Sequence, residues 1–186
     1  MITEKLSKNY AREFISRTET ILSQYNEIVA TKLESEHRES EFYDVSLFIN
    51  CLYGLLMMPS KLNKSVLKKY ENAKDFLSKN GFSDAISFTL EPKKEISLEE
   101  FVRSIRNGMG HWKDDKIKKL KNQGFDYEPK TEGALIEKII IRGSFCSEGE
   151  TILTTTVLNI ASEANRNKIL GFLKFIYKSE KMINNK

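Results

Sequence analysis

Apolar residues recur at helical spacing near the start of the chain: Leu6, Tyr10, Phe14, Ile21, Tyr25, Ile28 and Leu33. No glycine or proline interrupts them, so the spacing predicts a long first helix over about 3–35 with a charged outer face. The polar stretch ESEHRESE that follows reads as its end and a connector. Residues 42–58, FYDVSLFINCLYGLLMM, are apolar nearly all round, the pattern of a central helix, and Pro59 stops it. Inside it, Asn50 reads as a buried amide with a hydrogen-bond partner, and Gly54 as a point of close helix packing. A third helix is expected over about 63–79 on Val66, Tyr70, Ala73 and Leu77, with Asn80-Gly81 as a left-handed stop. Residues 82–96 look irregular. Ser97-x-x-Glu100 is a capping box and starts a fourth helix.

After a basic segment running to Gly124 the period changes. IEKIIIRGSFC and TILTTTVLN are β-branched and of strand length, and they flank the turn-like SEGE, so they read as a hairpin. A closing helix is expected near 163–180 on Ile169, Phe172, Leu173, Ile176 and Tyr177. With no internal repeat and no low-complexity linker, the chain reads as one domain over 1–186. Its helical body covers about 1–123, and the hairpin and final helix cover about 134–182.

The fourth helix carries the candidate chemistry. Leu98, Phe101, Val102, Ile105, Met109 and Trp112 form its apolar stripe. Arg103, Asn107 and His111 follow at i, i+4 and i+8 and share a polar face. Arg106 lies roughly 140° from His111 around a regular helix axis. Two routes would bring those two side chains together: unwinding at Gly108 or Gly110, or pairing of two copies, with a glycine on the crossing face letting backbones approach.

The residue types suit phosphodiester chemistry. Arginine grips a phosphate with two hydrogen bonds, and histidine moves a proton near neutral pH. Asparagine orients either group. No carboxylate cluster for magnesium surrounds them, although Asp114 and Asp115 follow. That pattern favours metal-independent attack by an RNA 2′-hydroxyl, leaving a 2′,3′-cyclic phosphate. On residue chemistry alone, a solvated helix end with His111 favoured by the helix dipole accounts for the same residues.

RNGMGH, with Arg106, Asn107 and His111, resembles the R-x4-6-H motif of the HEPN superfamily, and DVSLFINCLYGLLMMP at 44–59 is similar to a bacterial HEPN nuclease subgroup. The resemblance implies a mainly α fold: a HEPN-like antiparallel helical bundle with a C-terminal β-hairpin and closing helix. It also implies a metal-independent endoribonuclease, of toxin or phage-defence type, that cleaves RNA or tRNA without a cofactor. Arg106 would stabilise charge on the phosphate, His111 would serve as general acid or base, and Asn107 would orient the scissile group. The active unit implied is a homodimer with the motif helices facing, and an antitoxin or other regulatory protein is a further expected partner. Many relatives have alanine just before the histidine where this chain has Gly110, which puts the local helix geometry in question.

Composition adds limits. The 186 residues carry a net charge of +4, with 40% hydrophobic and 30% charged residues, enough for a buried core and compatible with a nucleic-acid partner. The two cysteines, Cys51 and Cys146, lack metal-site spacing and read as small buried hydrophobes in a reducing compartment. Neither an apolar leader nor a membrane-length run is visible, so the expectation is a soluble cytoplasmic protein. Lys113 and Lys116 open a basic run suited to an RNA backbone, and Arg103 is a further phosphate contact. Trp112 belongs with the core or dimer packing, and His37 has no assignable role. Thr154, Thr155 and Thr156 read as an exposed strand. Two other functions fit the same residues: a non-catalytic HEPN-like RNA- or protein-binding module, and a helical dimerisation scaffold.

Overall fold

The structure, a computed structural model, describes residues 16–25, 27, 28, 31, 44–56, 67–92, 95–110, 124–129 and 136–176. The chain divides into two compact units, residues 1–61 and 62–186. Among the described residues, no helix is long and apolar enough to cross a membrane.

In the first unit, residues 16–25 are helical (α1) and Asp44–Leu56 form α2. On α2 the buried residues are Phe48, Leu52 and Leu56, spaced four apart on one stripe, while Tyr53 is 47% exposed. The helix is therefore one-sided rather than apolar all round. Asn50 is exposed, which corrects its reading as a buried amide. Ile21 and Ile28, expected on the inner stripe of the first helix, are also exposed, at 49% and 55%. Cys51 is half-buried, and burial pushes its thiol pKa up.

The second unit overturns the expected helical bundle with a hairpin. Its centre is a four-stranded antiparallel sheet: β1 Ile86–Glu91, β2 Gly124–Glu128, β3 Lys138–Ser147 and β4 Glu150–Asn159, in the spatial order β1-β4-β3-β2. The hairpin is present as expected. Its two-residue turn is Glu148-Gly149, with φ of 52° and 83°, the positive pair that matches the twist of the flanking strands. The two outer strands were not expected. β1 lies inside residues 82–96, which read as irregular, and β2 follows the basic segment.

Among the described residues, helices α3 Ala73–Lys79, α4 Leu98–Gly110 and α5 Glu163–Ile176 accompany the sheet. The helix expected over about 63–79 is interrupted: Leu67 is helical, the chain then leaves the helix, and α3 begins at Ala73, while 63–66 lie outside the described residues. Residues 68–71 form turns and bends, and the Asn72 side chain accepts from the Asp75 amide at 3.0 Å, starting the helix afresh. The chain before it is tied elsewhere: the Ala73 amide donates to Ile96 O at 2.8 Å, and Leu98 N to Tyr70 O at 2.9 Å. The predicted stop holds, with Gly81 at φ 72° and Phe82 N donating to Leu77 O at 2.8 Å.

One face of the sheet carries the core. Ile139, Ile141, Gly143 and Phe145 on β3 pair across to Leu158, Thr156, Thr154 and Ile152 on β4, and Ile86 and Phe88 continue the rows on β1. These residues, Gly143 included, are buried because side chains on a strand alternate faces and this face is covered. Over this face Phe88 stacks on Phe101 of α4 with ring centroids 4.4 Å apart, and Phe101 lies 6.2 Å from Phe172 of α5. Phe172 in turn lies 6.4 Å from Phe76 of α3 and 5.9 Å from Phe82. Thr154 and Thr156 sit on this covered face at 2% and 0% exposure, so the threonine run is not an exposed strand. Cys146, expected to be buried, is exposed.

Candidate functional site

The motif helix α4 starts as its sequence dictates. Ser97 N and Oγ both donate to Glu100 Oε2 at 2.9 Å, and Glu100 N donates to Ser97 Oγ at 3.3 Å, so the capping box is complete. The second carboxylate oxygen has its own donor. Ser147 Oγ, at the end of β3, donates to Glu100 Oε1 at 2.8 Å. From there the helix runs across β3. Its predicted stripe of Leu98, Phe101, Val102, Ile105 and Met109 is buried, and Trp112 falls outside the described residues.

Ser104 and Gly108 are buried as well, and they explain one of the two glycines. A Cβ on Gly108 would stand 2.6 Å from Ile141 Cγ2 and 2.7 Å from Arg142 O. A Cβ on Gly143 would overlap the Ser104 carbonyl. Helix and strand backbones therefore meet directly, each with a glycine at the contact. The glycine-mediated approach expected between two copies is made within the chain, against β3.

The candidate residues are distributed as follows. Arg103 is exposed. Arg106 is half-buried, and its Nε is shut away from solvent with no hydrogen-bond partner among the described residues. Asn107 is half-buried, and its Nδ2 donates to the main-chain oxygen of Ser144 at 2.7 Å. His111, Lys113 and Lys116 lie outside the described residues, as does His37. α4 is helical through Gly110, the residue before His111, without unwinding at Gly108.

An unpaired Arg106 Nε is chemically notable. A buried donor without an acceptor costs about 1–3 kcal/mol, more for a charged group. An anion bound beside it removes that cost, and a guanidinium holds a phosphate through paired N–H groups. Among the described residues, no His, Cys, Asp and Glu side chains group in a way that could hold a metal ion.

Two features escaped sequence reasoning. The first is β3 as the seat of the motif helix. The contact from Asn107 to Ser144 spans 37 residues, so local patterning carries no trace of it. Gly143 inside a strand pattern is the one available signal, since such a glycine marks close backbone approach. The second is a cleft of about 310 Å³ on the opposite face of the sheet, lined by Thr89, Glu91, Arg142, Leu153 and Thr155. The Arg142 guanidinium at its edge stands 3.8 Å from the Asp126 carboxylate.

Comparison with known proteins gives one match. Residues 1–142 match the model of the family described as HEPN pEK499 p136, and the matched span contains Arg106, Asn107 and His111. No curated protein and no solved structure matches the chain. On this match, over most of its length and across the whole R-x4-6-H motif, the chain belongs to the HEPN pEK499 p136 family.

Proposed function

We propose that the protein is an endoribonuclease that cleaves RNA without a metal ion, by attack of the substrate's own 2′-hydroxyl. The observation that carries the reading is the family match, which spans the motif from Arg106 to His111. The Nε of Arg106 supports it, because that buried donor has no acceptor among the described residues and a phosphate would supply one.

In the proposed reaction the 2′-oxygen attacks the adjacent phosphorus. The bond from phosphorus to the 5′-oxygen breaks, and the products are a 2′,3′-cyclic phosphate and a 5′-hydroxyl. Arg106 stabilises the charge that builds on the non-bridging oxygens. His111 moves the proton, taking it from the 2′-hydroxyl or delivering it to the leaving 5′-oxygen. Arg103, Lys113 and Lys116 hold the flanking backbone, an electrostatic contact that weakens as salt rises. A homodimer with facing motif helices forms the active unit, its partners being RNA and an antitoxin or regulatory protein.

Purified full-length protein, incubated with total RNA and with tRNA in the presence of a chelator, tests the reading. Cleavage with cyclic-phosphate ends is expected. His111→Ala should lower the rate by roughly 100- to 10,000-fold, the usual contribution of general acid–base catalysis. Arg106→Ala should lower it comparably, with the circular dichroism spectrum of both variants unchanged. Intact substrates after prolonged incubation with the wild type would replace this reading with that of a binding module.

A further inference from the structure

We infer that Asn107 is a positioning residue: it fixes the motif helix to β3 and does not touch the substrate. The consequence for catalysis rests on the ribonuclease reading above; the positioning itself rests on the contacts of α4.

Those contacts run the length of the helix. At its start, Glu100 is tied to Ser147 by a 2.8 Å hydrogen bond. In the middle, the Ser104 carbonyl packs on Gly143, where a side chain would overlap it. Near its end, Gly108 lies on the Arg142 backbone, and Asn107 Nδ2 reaches Ser144 O at 2.7 Å. An amide engaged this way cannot swing to a phosphate without giving up its 2.7 Å hydrogen bond, a net loss of about 0.5–1.5 kcal/mol. Asn107 is next to Arg106, so one hydrogen bond sets the register of the helix segment that carries Arg106 and runs on to Gly110, the residue before His111 in sequence. Ser144 and Ser147 also lie past residue 142, where the family match ends. Part of the seat of the motif helix, at Gly143, Ser144 and Ser147, is thus supplied by the hairpin segment beyond the matched region.

The sensitivity expected is large, because misplacing a reacting group by about 1 Å costs up to about 100-fold in rate. Full-length Asn107→Ala and Asn107→Leu provide the test. The leucine keeps about the same size and removes the N–H donor without adding charge, so the two variants should behave alike. Two readouts are taken. In RNA cleavage, kcat should fall by about 10- to 100-fold while KM and the shape of the pH profile stay as in the wild type. In amide hydrogen exchange, residues 106–110 should exchange faster, while α3 and α5 keep wild-type protection and so report an intact fold. A raised KM with kcat preserved, or unchanged exchange over 106–110, overturns the inference and returns Asn107 to a substrate contact. If the wild type cleaves nothing, the ribonuclease reading fails, and the exchange measurement still decides whether Asn107 secures the helix.

Discussion

Thr156 lies in the middle of the covered sheet face with no accessible surface, between Phe88 of β1 and Ile141 of β3. Its hydroxyl has no hydrogen-bond partner among the described residues, and neither does that of Thr154 two residues earlier. A buried hydroxyl without a partner is destabilising, and valine has nearly the same shape without it. Thr156→Val should therefore stabilise the protein by about 1 kcal/mol, which for a chain of this size raises Tm by roughly 2–4 °C. A thermal unfolding curve checks it, and a lowered Tm would mean that the hydroxyl is satisfied by a buried water. The sequence could not place these side chains. Threonine suits either face of a strand, and the face is set by register with the neighbouring strands, which one strand's residues do not fix. Asn50 was misjudged, and the contact that Asn107 makes was not foreseen, for a related reason. An asparagine takes its role from its partner, and the Asn107 partner is far along the chain while Asn50 faces solvent.

The packing of α4 on β3 is where element and chemistry meet. Gly108→Ala places a methyl group 2.6 Å from Ile141 Cγ2 and 2.7 Å from Arg142 O, and the Arg142 backbone cannot yield as a flexible side chain would. The expected cost is about 1–3 kcal/mol, the usual range for overpacking. Denaturant unfolding should show a lower midpoint with an unchanged slope, and a midpoint equal to the wild type would show that the helix can lift from the strand without penalty. Much of α4 was legible: its capping box and apolar stripe are local patterns, and both are present as read. Ser104 and Gly108 were not legible as buried, because they face a strand backbone where small or polar residues take the place of apolar bulk. β1 was legible in principle. Ile86, Phe88 and Leu90 alternate with Ser87, Thr89 and Glu91, but six residues of alternation are easily lost beside a turn. The break before α3 accompanies bonds from Tyr70 and Ala73 to Leu98 and Ile96, which local propensity does not register.

At the scale of the whole molecule, strand order separates what was readable from what was not. The hairpin of β3 and β4 is local and was expected, whereas the pairing of β1 with β4 joins distant segments and turns a hairpin into a sheet. That order makes β4 an inner strand. A chain ending at Arg142 keeps the family-matched span and loses the partner of β1 together with most of the seat of α4. It should lack the cooperative thermal transition and near-ultraviolet circular dichroism expected of the full chain; a truncated chain that unfolds cooperatively would mean that the sheet is dispensable. The same order has a consequence in time. About 60 residues separate the end of β1 from the start of β4, and at roughly 5–20 residues per second a ribosome needs about 3–12 s to add them. Once Gly110 has been added, the helix bearing Arg106 is complete, while the strands that seat it are still to be made. On the proposed ribonuclease reading, a nascent chain would stay silent until those strands emerge, which would shield the message and ribosome producing it from a nuclease assembled too early.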